Sequence, residues 1–125
     1  MGVHAYLLVA CGGAIGAVLR FACSSLVGTG FVFPWATFGI NIAGALGIGL
    51  VWGLWQDAAW FVDWGRMLLV VGLLGGFTTF STFSLEMFTM LNQGRWMLAI
   101  GYSVSSVALC VLVTWLGLRA GQMMQ

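Results

Sequence analysis

Four long apolar stretches, separated by short polar or turn-forming segments, dominate this chain of 125 residues. Crossing about 30 Å of hydrocarbon takes about 20 mostly apolar residues in a helix. Residues 5–26, 35–55, 64–91 and 96–118 all reach that length. The sequence therefore predicts an all-α integral membrane protein in which residues 1–125 form a single domain of four transmembrane helices.

Charged residues make up only 6% of the chain, and lysine is absent. The surface of a soluble domain carries roughly 25–35% charged residues, and a nucleic-acid-binding domain needs a basic face. The composition excludes both classes. The sequence contains few groups that could act in catalysis. His4 is the only histidine, and there are no paired carboxylates and no Ser/His arrangement. We therefore expect no enzyme.

The four arginines are evenly divided between the two sides of the membrane. With four spans, Arg66 and Arg119 share one side, whereas Arg20 and Arg95 share the other. Orientation is set mainly by an excess of Lys and Arg on the cytoplasmic side. The balance predicts insertion in both orientations, so that copies could pair as an antiparallel homodimer. Alternatively, one or two arginines lie too deep to influence orientation.

Glycines spaced four residues apart recur along the chain. Small residues at this spacing let helices approach closely in lipid. In a chain with 19 glycines a single pair is weak evidence, but together the pairs predict tight helix packing. The pairs are Gly12/Gly16, Gly49/Gly53, Gly72/Gly76 and Gly117/Gly121.

The third span carries the strongest functional signal, a glycine pair at 75–76 followed by a run of Thr, Ser and Phe up to Glu86. Each glycine weakens a helix by about 1 kcal/mol relative to Ala. Backbone groups freed by a break must face protein, a cavity or an ion, and discontinuous membrane helices hold monovalent cations in this way. The sequence predicts a third helix broken at Gly75–Thr78. A continuous helix kinked by glycine is the alternative.

Phe77, Phe80 and Phe83 recur every three residues and share one helical face. Ring edges carry partial positive charge, so two edges and the neighbouring hydroxyls could coordinate a small dehydrated anion. Packing or lipid contact is the alternative. Glu86 continues this face, either solvated at the interface or at a pore mouth.

Polar side chains also interrupt the other spans. Asn41 in the second span either bonds to another helix or lines a pore. Arg20 near the end of the first span is either an interface anchor or a vestibule charge. The fourth span carries a polar stripe at four-residue spacing, which suits interhelical hydrogen bonding or a row of donors along a permeation path. Its members are Tyr102, Ser106, Cys110 and Thr114.

These motifs resemble the Fluc (CrcB) family of fluoride channels. The resemblance covers the whole chain and runs through residues 12–21, 33–41 and 75–86, which read GGAIGAVLRF, FPWATFGIN and GGFTTFSTFSLE. The chain departs from the family pattern at Ala36, where glycine is common, and at Gly39, where a branched residue is common. Cys110 stands where the family often has a hydroxyl, which puts one donor of the stripe in doubt.

The resemblance implies a channel that passively exports fluoride across the bacterial inner membrane, built as a dual-topology antiparallel homodimer with two pores. The implied fluoride path comprises Asn41, Phe80, Phe83, Ser81, Thr82, Tyr102, Ser106 and Thr114, with Ser81 and Thr82 at a vestibule. The backbone carbonyls of Gly75 and Thr78 from both subunits are implied to hold a structural Na⁺. We place Arg20 and Glu86 at a vestibule or pore mouth.

Two other classes are consistent with a small four-span chain. A small multidrug transporter has a similar length and a dual-topology dimer, but it needs a membrane-embedded carboxylate in the first span. Residues 5–26 contain none. A non-transporting membrane assembly subunit would explain the glycines but not the run from 75 to 86.

Overall fold

Residues 2–125 are described by a computed structural model, in which four helical segments are long and apolar enough to cross a membrane. Helix α1 is Val3–Val27, α2 is Trp35–Trp55, and α5 is Trp96–Met123. The third segment, Phe61–Asn92, is divided into α3 (residues 61–77) and α4 (Phe80–Asn92). No strand occurs among residues 2–125. The prediction of an all-α membrane protein with four spans is confirmed.

Helix α3 winds more widely than a standard α-helix over most of its length. Its π-helical stretches are Phe61–Gly65 and Met67–Leu74, and Gly75–Phe77 completes it as an α-helix. π-Helical winding is rare and is frequent at functional sites. The span starts three residues before the predicted position 64. The connection from α2 is correspondingly shorter than predicted.

The predicted break in the third span is present, but it lies at Thr78 and Thr79, at the C-terminal end of the predicted segment Gly75–Thr78. Gly75 and Gly76 are both helical. The extended residues are Thr78, at φ −77° and ψ 158°, and Thr79, at φ −149° and ψ 119°. Helix α4 begins immediately afterwards at Phe80. The two threonines, rather than the glycine pair, therefore interrupt the helix.

Two helix pairs are packed closely through the predicted glycines. A Cβ atom added to Gly16 would lie 2.1 Å from the carbonyl oxygen of Leu73, on α3. Likewise, a Cβ atom on Gly49 would lie 2.1 Å from the carbonyl oxygen of Thr114, on α5. Only glycine allows backbones to approach this closely. The predicted tight packing is confirmed, with α1 against α3 and α2 against α5.

The exterior of the single chain is strongly apolar. Val111 is 66% exposed and Val104 is 61% exposed, both on α5. The buried cluster of Met90, Ala99 and Tyr102 lies between α4 and α5. An apolar outer surface matches a chain whose surroundings are lipid and other membrane helices.

Candidate functional site

The side-chain amide of Asn41, on helix α2, forms hydrogen bonds with the backbone of Thr79 at the break. The backbone N–H of Thr79 donates to Asn41 Oδ1 at 2.8 Å, and Asn41 Nδ2 donates to the carbonyl oxygen of Thr79 at 3.0 Å. Thr79 also caps α4, because its Oγ1 accepts from the N–H of Thr82 at 3.2 Å. Asn41 thus bonds to another span. Only one of its two Nδ2 hydrogens is used in this pairing with Thr79, and the other is left to donate elsewhere.

These bonds divert the N–H donors that two carbonyls would receive in a continuous helix. The N–H of Thr79 would pair with Gly75 O, and the N–H of Thr82 would pair with Thr78 O. The first donates instead to Asn41, and the second donates to the Thr79 side chain. Gly75 and Thr78, the predicted cation ligands, are therefore among the residues whose carbonyls lose their helical donors.

The predicted vestibule residue Arg20 is directed to the break. Its Nε donates to the carbonyl oxygen of Gly76 at 3.1 Å. Gly76 lies near the middle of the third span, so the guanidinium of Arg20 forms this bond at the depth of the break. The bond fixes α1 to α3 and satisfies one carbonyl beside the break.

A cavity of about 390 Å³, here called the first cavity, opens beside the break between α2, α3, α4 and α5. Phe80 and Phe83 border it with their ring centroids 5.5 Å apart, and Phe80 is 77% exposed in the single chain. Among the described residues that line it, none is charged. The predicted residues that meet there are Asn41, Gly75, Thr78, Phe80, Phe83, Ser106 and Thr114, with Cys110 beside them.

Ser106 lines the first cavity, and its hydroxyl is buried without a partner. The residue is 7% exposed, and its Oγ has no hydrogen-bond partner within residues 2–125. A buried polar group left unsatisfied costs about 1–3 kcal/mol, so this hydroxyl requires an acceptor that residues 2–125 of a single chain do not supply. Thr114 differs, because its Oγ1 lies 2.8 Å from Cys110 O and 3.0 Å from Ala45 O and donates to them.

Glu86 is half-buried, and both of its carboxylate oxygens accept hydrogen bonds from hydroxyls. Thr37 Oγ1 donates to its Oε1 at 2.6 Å, and the hydroxyl of the fully buried Tyr102 donates to its Oε2 at 2.7 Å. The Tyr102 hydrogen is therefore directed to Glu86. Thr37 was not among the predicted site residues, although it lies one helical turn before Asn41 on the same face.

A second cavity, of about 590 Å³, lies between the α1–α2 connection and α4. Thr82, Glu86 and Arg95 line it. Ser81 is exposed, lies 3.4 Å from Thr79 through their hydroxyl oxygens, and is not a lining residue of either cavity. Five of the predicted path residues therefore line the first cavity and Thr82 lines the second, whereas Ser81 and Tyr102 line neither.

Known proteins match the chain along nearly its whole length. The model of the family described as CrcB-like protein, Camphor Resistance (CrcB), matches residues 7–118. A protein of Magnetococcus marinus named fluoride-specific ion channel FluC is 44% identical over 92% of this chain and 95% of its own. A protein of the same name from Chloroflexus aurantiacus is 43% identical over 93% of this chain and 94% of its own. Another, from Paramagnetospirillum magneticum, is 46% identical over 90% of this chain and 91% of its own.

Proposed function

This chain belongs to the CrcB-like family, and on that premise we propose that it is a fluoride-specific ion channel. The observation that carries the proposal is that Asn41, Phe80 and Phe83 meet at the first cavity, where the described lining residues include no charged side chain. The relatives named above as fluoride-specific channels support the choice of ion. The proposal assigns the chain passive transport and no chemical reaction.

Fluoride holds its hydration water tightly, so a pore must offer fixed donors in place of that water. Asn41 supplies the Nδ2 hydrogen left over from its pairing with Thr79, and the buried, unpartnered hydroxyl of Ser106 lies on the lining helix α5. The ring edges of Phe80 and Phe83 add partial positive charge. Because no charged side chain lines the cavity among the described residues, the anion is held without being trapped.

The driving force for export is the membrane potential. We place the protein in the bacterial inner membrane, where an inside-negative potential is worth about 2.3 kcal/mol per charge per 100 mV. Neutral HF that crosses the lipid dissociates in the more alkaline cytoplasm, and the channel lets the fluoride leave.

We also propose a structural Na⁺ at the break, because the carbonyls of Gly75 and Thr78 have lost their helical donors there. Gly75 and Thr78 would contribute their backbone oxygens from both subunits, and such oxygens suit a hard monovalent cation. The ion would stabilise the break. Replacing sodium with a larger monovalent cation during purification should lower the unfolding temperature in detergent, and an unchanged temperature would contradict the sodium site.

The assembly we propose is an antiparallel, dual-topology homodimer with two pores. The exposed ring of Phe80 and the apolar face of α5 support a second copy at this surface. Because Arg20 is bonded to the carbonyl of Gly76 inside the span, we do not count it among the charges that set the orientation of the chain in the membrane. That leaves Arg95 on one side against Arg66 and Arg119 on the other, a bias of one charge that is still small.

Fluoride efflux from liposomes that contain only this protein tests the proposal. A potassium ionophore supplies the counter-current, and a fluoride electrode follows the release. We expect rapid fluoride efflux and little chloride efflux under the same potential. Proton-coupled export of organic cations without fluoride efflux would instead identify a multidrug transporter, and no transport would favour an assembly subunit.

A further inference from the structure

The connection between α1 and α2 ends in a tight turn that places one phenylalanine against the buried cluster. Pro34, at φ −79° and ψ 70°, is the central residue of an inverse γ-turn. In this turn the N–H of Trp35 donates to the carbonyl oxygen of Phe33 at 2.9 Å. Because the proline ring restricts φ, the turn gives Phe33 a defined position at the start of α2, where it packs on the cluster that contains Tyr102.

The ring of Phe33 meets the ring of Tyr102 edge to face. The two centroids are 5.2 Å apart and the planes are inclined by 89°, a favourable arrangement for an aromatic pair. Phe33 also meets Phe38 edge to face, at 5.2 Å and 82°. Tyr102 is fully buried, and its hydroxyl donates to Glu86. Phe33 is therefore one of the contacts that fix the orientation of the tyrosine ring.

Tyr102 lies between one lining residue of each cavity. Phe33 lines the second cavity, and Phe83 lines the first. The centroid of the Phe83 ring is 4.9 Å from that of Tyr102, with the planes inclined by 40°. The orientation of Phe83, whose ring edge is proposed to face the anion, thus depends on a tyrosine that Phe33 supports.

We propose that Phe33 is a positioning residue for the fluoride path, which sets the orientation of the Phe83 ring through Tyr102. A side chain without a ring at position 33 leaves space beside the tyrosine, and Phe83 then loses a fixed support. Because ion selectivity depends on how the coordinating groups are placed around the ion, the preference for fluoride over chloride should fall. The inference rests on the proposed function, since it presumes that fluoride passes the edge of Phe83.

Three substitutions separate positioning from simple packing. Phe33→Leu keeps an apolar side chain without a ring, whereas Phe33→Tyr keeps the ring. Phe88→Leu is the matched control, because Phe88 is 58% exposed on α4 and lines neither cavity. Fluoride efflux and chloride efflux are measured for each variant in liposomes under the same potential. A variant that is only destabilised loses both rates in proportion, so the ratio of the two rates reports positioning.

We expect Phe33→Leu to lower the ratio of fluoride to chloride efflux by roughly two- to tenfold, which corresponds to the loss of one aromatic pair. Phe33→Tyr and Phe88→Leu should keep the wild-type ratio. An unchanged ratio in the Phe33→Leu variant, or an equal loss in the Phe33→Tyr variant, would overturn the positioning role.

A measurement without transport keeps this inference apart from the proposed function. With para-fluorophenylalanine in place of Phe83, a fluorine NMR resonance reports the surroundings of that ring in detergent. Phe33→Leu should shift or broaden the resonance, and Phe88→Leu should leave it unchanged. An unchanged resonance in the Phe33→Leu variant would overturn the positioning role whatever the efflux. If the wild-type protein carries no fluoride, the proposed function is wrong, and the resonance still decides whether Phe33 positions Phe83.

Discussion

Asn41 and Thr79 exchange two hydrogen bonds across 38 positions of the chain, one 2.8 Å long and one 3.0 Å long. One side-chain amide thus replaces both helical partners that the Thr79 backbone would otherwise seek. The pair joins α2 to the break and places the remaining amide hydrogen at the first cavity.

Replacing Asn41 with Asp should therefore cause a severe loss of fluoride efflux. Asp keeps the acceptor for the Thr79 N–H but places an oxygen against the Thr79 carbonyl, where Asn41 Nδ2 now donates. It also adds a charge of the same sign as the ion. Efflux from liposomes measures the effect. Ser25→Ala, which removes an exposed hydroxyl bonded to Phe21 O and lines neither cavity, is the control and should conduct normally.

Replacing Phe80 or Phe83 with Ile should abolish most efflux while leaving assembly intact. Ile remains apolar but lacks the ring quadrupole that would face the anion. Met should retain part of the conduction, because its thioether is polarisable. Gel filtration reports assembly, and liposome efflux reports conduction. Phe77→Ile is the control, since Phe77 does not line the first cavity. Wild-type conduction by both Ile variants would mean that the rings serve packing alone.

Glu86→Gln should destabilise the protein. Both carboxylate oxygens accept hydroxyl hydrogens, from Thr37 and Tyr102, whereas Gln offers one oxygen and an NH₂ group. One buried hydroxyl then loses its acceptor, at a cost of about 1–3 kcal/mol. Thermal unfolding in detergent should show the lower stability.

A double-mutant cycle with Tyr102→Phe separates the two bonds of Glu86. The combined loss should be smaller than the sum of the single losses, because both substitutions remove the same contact. Strictly additive losses would show that Glu86 and Tyr102 are not coupled.

Gly16→Ala should be strongly destabilising, because its Cβ atom would lie 2.1 Å from the carbonyl oxygen of Leu73. The helices α1 and α3 would have to separate. Gly101→Ala is the matched control, since a Cβ atom there would meet no neighbouring atom within 4 Å; at that position Ala should stabilise the helix by roughly 0.5–1 kcal/mol. Unfolding midpoints in detergent compare the two. Equal midpoints would contradict the close packing of α1 against α3.

Two or three lysines inserted in the connection at 57–63 should bias insertion to one orientation and lower the yield of dimer. Co-expression with an oppositely biased chain should restore the yield. Cysteine labelling from each side of the membrane reports orientation. If every wild-type copy shows its C-terminus on the same side, the antiparallel dimer is excluded.

The sequence was sufficient for features that depend on local spacing. The four spans follow from apolar length, and the glycine pairs predicted that helices pack closely. The start of α3 was wrong by three residues because Asp63 suggested a loop, whereas a carboxylate is favourable in the first turn of a helix.

The contacts that build the candidate site could not be predicted in the same way. Thr37 and Glu86 lie 49 positions apart, and Arg20 reaches Gly76 across 56. Nothing in the local pattern states which carbonyl a guanidinium will bond or that a tyrosine hydroxyl will be directed to a glutamate. Those pairings depend on how the helices are arranged around the break.

The glycine contacts also have a mechanical consequence. They make α1 with α3, and α2 with α5, two stiff units whose backbones cannot slide past each other without collision. The first cavity draws its lining from both units, so its width is set where the two rigid bodies meet. We therefore expect discrimination between a small halide and a larger one to depend on glycines such as Gly16 and Gly49, which do not line the cavity.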